Sequence, residues 1–512
     1  MLVITFLVYG RTISYGFVWD DERSHLTAHK DLMEGNIGKL ISKPYDGMYI
    51  PVTYLTWNAA KSFAKDGDKL NPKPFHSLNV LFHAANVVLL FLILNLLFGN
   101  SIAAFVGAAL FGFHPLQVES VAWISEFRGV YSCFFSLTAM WVLFSNLKKQ
   151  AFKSAKELVS QKFFWGATVL FLCALLSKPG AVMLPFITLL LVWCFFRDSF
   201  GAVRAAVMIW LCVVVPVALS TAASQSNAAM TYVTPLLLRG PVAGYSVGFY
   251  LMKIFLPLNL APSYGFTPQE ILQHTVTYVL AAVVMGCGVY LFLKREKFKF
   301  IFTGYFLFVL SLLPVTGIVT FYFQRYSNVA DRYVYFGMIG MAIIATYLCT
   351  LPQKKIVFGV LGTFLAVCIF LTVRQVPVWK NEFSIWNDSM EKYPHQYMAA
   401  YNMGVYYSKN NQPELAINDY TVAIEYNGKS KDAFVNRANE FAKVNRFSEA
   451  LKDYDAAIAL APDDGSIYYN RALMNYNAGN FDSCPPDILK AQELGFPIDM
   501  AFATAVRDAM HR

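Results

Sequence analysis

Val87-Val88-Leu89-Leu90-Phe91-Leu92-Ile93-Leu94-Asn95-Leu96-Leu97-Phe98 runs for twelve residues with one polar side chain and no charge. Phe163–Leu176, Ala205–Ala223 and Tyr278–Leu293 read the same way. Each approaches the roughly 20 residues that a helix needs to span hydrocarbon, where backbone polar groups must bond within the segment. The 512 residues are 56% hydrophobic and 15% charged, where an average globular chain carries about 25% charged residues. The expected fold class is all-α: a polytopic helical membrane protein followed by a helical repeat domain. A soluble globular chain is excluded by the greasy surface it would expose.

Working outward, spans are expected near 1–17, 77–98, 101–114, 130–147, 163–176, 180–196, 205–223, 275–293, 300–320, 334–350 and 356–373, about eleven in all. Met1–Phe17 is short, carries Arg11 and lacks both a basic start and a small-residue cleavage site. It reads as a first helix whose coding start is assigned late, and not as a signal peptide. The stretch 241–258 is apolar but broken by Gly240-Pro241, Gly244, Gly248, Lys253 and Pro257. If it lies along the interface, the basic loops Lys148–Lys162, Arg197–Arg204, Lys294–Lys299 and Lys354–Lys355 all fall on one side, as cytoplasmic loops do. It is therefore read as interfacial or re-entrant. The net charge of +9 is topology information, and no nucleic-acid partner is expected. Val18–Phe75, 224–274, the turns 114–129, 177–179 and 321–333, and everything after Arg374 then face outward. Seven of eight cysteines fall in expected spans; Cys484 stands alone in the tail, so no disulfide is expected there.

The tail repeats every 34 residues. Asn402, Asn436 and Asn470 align, as do Ala416 with Ala450, Tyr420 with Tyr454, and Ala423-Ile424 with Ala457-Ile458. Trp386 and Pro394 carry the phase backward. That period marks a tetratricopeptide-repeat (TPR) solenoid of paired antiparallel helices. Residues 378–512 form the expected TPR domain, with about three repeats, a leading half and a capping helix over Met500–His511; residues 1–377 form the membrane domain. Cys484-Pro485-Pro486 delays the second helix of the third repeat. The groove suits an extended protein or peptide partner, and packing or dimerisation is the plainer use.

Charged residues collect outside the membrane. Asp20-Asp21-Glu22 follows Phe17-Val18-Trp19 at the interface, where ionisable groups are functional candidates and a solvated loop is the alternative. His114, Glu119, Glu126 and Arg128 share one segment, and the interval of seven puts both glutamates on one face if the segment is a helix. Simple Glu126–Arg128 or Glu–His pairing is the competing reading. Lys178, Arg325 and Arg332 are cations kept in outer loops, suited to phosphate or to lipid head groups. A carboxylate as general base beside phosphate-binding cations points to transfer from a phosphate-linked lipid donor. No ligand spacing demands a metal, although a divalent ion beside phosphate is chemically reasonable.

The ordered set Phe17-Val18-Trp19-Asp20-Asp21, Tyr49-Ile50-Pro51-Val52-Thr53, His114-Pro115-Leu116-Gln117-Val118-Glu119-Ser120-Val121-Ala122-Trp123, Leu176-Ser177-Lys178-Pro179, Pro262-Ser263-Tyr264-Gly265 and Ala330-Asp331-Arg332-Tyr333 resembles the transmembrane-and-TPR O-mannosyltransferase family and its bacterial relatives, of the GT-C glycosyltransferase superfamily. The resemblance implies transfer, with inversion, of a monosaccharide such as mannose from a polyprenyl phosphate to an acceptor hydroxyl. The acceptor would be a protein Ser or Thr on the periplasmic or luminal face, of a bacterial inner membrane or an endoplasmic reticulum. It implies Asp20 or Asp21 as base, with Glu22, His114, Glu119, Glu126, Arg128 and Tyr264 around sugar and acceptor, and Lys178, Arg325 and Arg332 on the donor phosphate. The alternatives are a lipid-linked oligosaccharide ligase or polymerase, and a non-enzymatic TPR scaffold.

Overall fold

A computed structural model describes residues 1–45, 47–66, 69–226 and 233–511. Apart from a small hairpin, Lys65–Asp66 against Lys69–Leu70, the regular structure is helical. The chain divides into two compact units, Met1–Ser384 and Ile385–Arg512.

Among the described residues, five helices of the first unit are long and apolar enough to cross a membrane: Lys73–Phe98, Ile124–Lys149, Arg197–Val217, Thr275–Leu293 and Lys355–Lys380. Ser101–Phe113 and Pro115–Ala122, bent by 51°, make a sixth if counted as one span. Leu2–Ser14, Lys162–Ser177, Pro179–Phe195, Lys299–Val315 and Met338–Leu348 are apolar but hold only 10–17 residues. Each of the eleven expected spans has its apolar helix, and five or six of these have spanning length. Proline shortens several of the others. Pro179 opens a 3-10 turn after Ser177, and Leu313-Pro314-Val315 converts the end of Lys299–Leu312 into another.

The 241–258 stretch, expected to be interfacial or re-entrant, is largely helical. Leu236–Phe255 is one helix with Pro241 inside it. Gly244 accounts for its docking: a Cβ there would stand 2.5 Å from the Cβ of Ala281 in the facing Thr275–Leu293 helix, so the two backbones touch through small residues. Gly304 and Gly340 make a similar crossing, where a Cβ on Gly304 would stand 2.5 Å from the Gly340 carbonyl oxygen.

The segment Val18–Phe75, expected as an outer loop, holds regular structure. Lys30–Glu34, Ile37–Ser42 and Pro51–Lys61 are helices, and Leu26, Leu40, Ile50 and Trp57 bury a small core against Ile124 and Phe127. Residues 227–232 of the expected outer segment 224–274 lie outside the described residues.

The second unit stacks Tyr397–Lys409 on Pro413–Tyr426, Lys431–Lys443 on Phe447–Leu460, and Gly465–Asn477 on Cys484–Glu493. The turn inside each pair carries a residue with left-handed backbone: Asn411 (φ 54°), Asn445 (φ 61°) and Gly479 (φ 80°), again 34 apart. Asparagine and glycine tolerate that conformation best. The third pair enters its second helix through the short turn Phe481–Ser483, and Pro485 and Pro486 sit harmlessly in the first turn. Met500–Met510 closes the stack, with Phe502 and Val506 packed against Ala472 and Cys484.

Candidate functional site

The site begins in a tight turn. The Asp21 amide donates to the Val18 carbonyl at 3.1 Å, and Asp21 Oδ2 accepts from the Val18 amide at 3.1 Å. Trp19 and Asp20 are the two central residues, with φ of 54° and −71°. Glycine usually fills the first position, and a bulky residue there is strained. The Trp19 ring is held in compensation, stacked on Trp123 at 4.6 Å and 12°. Strain of this kind, kept in place by its surroundings, is characteristic of functional sites.

Asp21 is fully buried. Its Oδ1 accepts from the Ser125 amide at 2.9 Å and the Ser125 hydroxyl at 2.5 Å. Burial pushes its carboxyl up to about 7 against those hydrogen bonds, and the charge of Asp20 adds to the rise. Asp20 is partly exposed and Glu22 exposed. Asp21 therefore anchors the turn onto the Trp123–Glu126 segment and leaves Asp20 at its tip.

That segment is not one helix. Val118–Ala122 stops at Trp123, which is extended (φ −89°, ψ 121°), and Ile124–Glu126 restarts as a 3-10 turn before Phe127–Lys149. The shared helix face expected for Glu119 and Glu126 is thereby corrected. The physical reason is the ring of Trp123, sandwiched between Trp19 and Trp379, while its carbonyl accepts from Asn79 Nδ2 at 2.8 Å.

The two glutamates instead head separate ion pairs. Glu126 is 1% exposed and takes Lys178 Nζ on Oε2 at 2.7 Å and the Arg128 guanidinium on Oε1 at 3.0 Å. One carboxylate facing two cations leaves this node with an excess of positive charge. Lys178 is placed from below by Thr53, whose hydroxyl donates to the Ser177 carbonyl at 3.1 Å. Burial pulls the Lys178 ammonium down from its ordinary value, and Glu126 opposes that pull. Gly129 is required beside the node, because a Cβ there would meet Glu126 Oε2 at 2.9 Å.

Glu119 takes Arg332 twice, the guanidinium at 2.6 Å and the backbone amide at 2.9 Å. The Arg332 guanidinium lies over Phe323 at 4.2 Å and Tyr333 at 4.9 Å, with Trp19 and Trp123 each at 5.6 Å. Beside it the Tyr264 hydroxyl donates to Asp331 Oδ1 at 2.6 Å.

Two expected site residues stand apart. Both ring nitrogens of His114 are engaged away from these pairs, Nε2 with the Ile254 carbonyl at 2.9 Å and Nδ1 accepting from the Leu116 amide at 3.2 Å. Arg325 is exposed, its guanidinium against the rings and hydroxyls of Tyr322 and Tyr326. Conversely, His25 is buried at the end of Asp21–His25, within the electrostatic reach of Arg128, Glu126 and Arg332. Burial first, then the Arg128 charge, holds its imidazole well below its ordinary value. An interval of four from Asp21 was the available sequence signal. No group of three or more His, Cys, Asp or Glu among the described residues is placed to hold a metal ion.

No family model matches the chain. Over 419 residues, 72% of the chain, it is 24% identical to protein O-mannosyl-transferase TMTC1 of Homo sapiens, covering 47% of that protein. A 102-residue stretch, 20% of the chain, is 28% identical to UDP-N-acetylglucosamine--peptide N-acetylglucosaminyltransferase of Giardia intestinalis, covering 7% of it. The chain thus spans about half the length of the first relative and a small part of the second. With the solved Cut9–Hcn1 hetero-tetramer of the APC/C the likeness is 13% identity over 94% of this chain and 95% of that one, at a TM-score of 0.25, below the level of a shared fold. The homology to a protein O-mannosyl-transferase is weak, and the five apolar helices are consistent with a multi-pass membrane protein.

Proposed function

We propose that this chain is a GT-C-type glycosyltransferase that moves a monosaccharide, such as mannose, from a polyprenyl phosphate to an acceptor hydroxyl, with Asp20 as general base. The observation that carries the reading is the convergence of the strained Asp20 turn with the doubly cationic Glu126–Lys178–Arg128 node through one residue, Ser125, which holds Asp21. The Asp20 carboxylate takes the acceptor proton as the hydroxyl oxygen bonds to the anomeric carbon. The bond from that carbon to the phosphate oxygen breaks, and polyprenyl phosphate leaves with configuration inverted at the sugar. Lys178 and Arg128 meet the charge that develops on the phosphate. Arg332, gripped by Glu119 and four rings, orients Trp19 and Trp123; the Trp123 indole N–H is buried without a hydrogen-bond partner and is a donor for a sugar hydroxyl. An apolar groove of about 640 Å³ between Phe255–Leu258 and the 359–371 stretch gives the donor's lipid tail a place.

In this reading all eleven apolar helices cross or enter the membrane, and Val18–Phe75 and residues 378–512 face the periplasm or lumen, where the TPR groove presents a protein Ser or Thr. The experiment is a donor panel: purified protein in detergent with polyprenyl-phosphate monosaccharides on one side and lipid-linked oligosaccharides on the other. Release of polyprenyl phosphate from a monosaccharide donor is expected. Release of polyprenyl diphosphate from an oligosaccharide donor alone would replace the proposal by a ligase.

A further inference from the structure

The TPR unit carries the same ion pair twice. Arg437 meets Asp453 with two bonds of 2.7 Å, and Arg471 meets Asp487 with bonds of 2.8 and 2.6 Å. The arginines stand 34 residues apart, as do the aspartates. Each arginine also reaches the preceding helix pair, Arg437 to the Thr421 hydroxyl at 3.0 Å and Arg471 to Asp455 at 2.6 Å. Arg437 further lies over the Phe441 ring at 5.6 Å. In both repeats the aspartate is 5% exposed beneath its arginine.

One period earlier the aspartate is kept and the arginine is replaced. Asp419 stands where Asp453 and Asp487 stand, and Tyr407 where Phe441 stands, but Met403 replaces the arginine. Met403 has no donor to offer, and Asp419 has neither a cation nor a hydrogen-bond donor against it among the described residues. It is partly exposed instead of covered. Asp419 and Tyr407 hold the repeat positions of Asp453 and Phe441, and burial first, then the charge of Asp419, raises the Tyr407 hydroxyl above its ordinary value. Burial alone pushes the Asp419 carboxyl up to about 6, as befits a carboxylate without a counter-charge.

We propose that this first repeat is an arginine-binding site, in which Asp419 and Tyr407 take the guanidinium of a partner polypeptide in the seat that the chain's own arginines fill in the next two repeats. The chemistry selects arginine. A planar fork satisfies both carboxylate oxygens and lies flat on a ring, which no neutral side chain of that length does. The proposal is independent of the transfer reading, because it concerns binding by the second unit.

The test uses the full chain in detergent and two dye-labelled blocked pentapeptides that differ only at the centre, arginine in one and its uncharged isostere citrulline in the other. Fluorescence anisotropy should show the arginine peptide binding about tenfold tighter. That preference should vanish in Asp419→Asn. In Met403→Arg the internal guanidinium should take the seat, abolishing the preference and raising Tm. Equal binding of the two peptides by the unaltered chain, or a preference that survives either substitution, would overturn the proposal. Neither outcome depends on sugar transfer.

Discussion

Asp20 and Asp21 are adjacent and differ in what surrounds them. Asp21 is sealed with three donors on its two oxygens, while Asp20 is partly exposed at the tip of the turn. Asp20→Asn should lower turnover by about 10²–10⁴-fold. Asp21→Asn should leave measurable turnover in a protein of lower Tm. Protonation of Asp21 near 7 removes the negative charge beside Asp20, so kcat/KM should rise as pH increases through about 7, and Asp21→Asn should flatten that step. Stability moves the other way. The ordinary value of this carboxyl is 3.8, and between there and about 7 the folded chain holds a proton that the unfolded chain has lost. Unfolding free energy from this group therefore falls as pH rises across that window and levels off above it. Glu126→Ala should cost about 3 kcal/mol in denaturant unfolding, because it strands two cations against a buried site. That figure is at the low end of such losses because Lys178 is 27% exposed and can turn to water.

At the scale of elements, the apolar helices and the 34-residue period were legible because both are local patterns: hydropathy over some 20 residues, and side-chain size at fixed spacing. The broken segment at Trp123 was not legible. An interval of seven between Glu119 and Glu126 suits a helix, and what stops the helix is a stack with Trp19, more than a hundred positions away. Val18–Phe75 looked like a loop because its helices are short and their apolar residues are shared with Ile124 and Phe127. The Glu119–Arg332 pair spans 213 residues, so the sequence could nominate both partners but could not join them. Arg128 was nominated for the sugar, and its place beside Lys178 makes it a phosphate ligand in the present proposal. Close crossings give a prediction at this scale. Gly340→Leu should force Met338–Leu348 away from Lys299–Leu312, lowering Tm sharply, while Gly359→Leu, where an added Cβ meets nothing within 4 Å, should not.

For the whole molecule, the proposed sidedness rests on the basic loops and the charged residues expected outside. With the exposed Cys212 and Cys287 replaced by serine, a single cysteine at Asp31→Cys or Glu493→Cys should react with a membrane-impermeant maleimide from the periplasmic or luminal side, and one at Lys297→Cys only after the membrane is opened. Labelling of Lys297→Cys from the outside would invert the proposed topology. The most direct measurement is polyprenyl phosphate released from a polyprenyl-phosphate monosaccharide in the presence of acceptor, compared among the unaltered protein, Asp20→Asn and Asp21→Asn at matched folding. Turnover that collapses in Asp20→Asn and persists, reduced, in Asp21→Asn is the expected result. Full turnover in Asp20→Asn would contradict the assignment of the base and, with it, the reading of the strained turn as the catalytic centre.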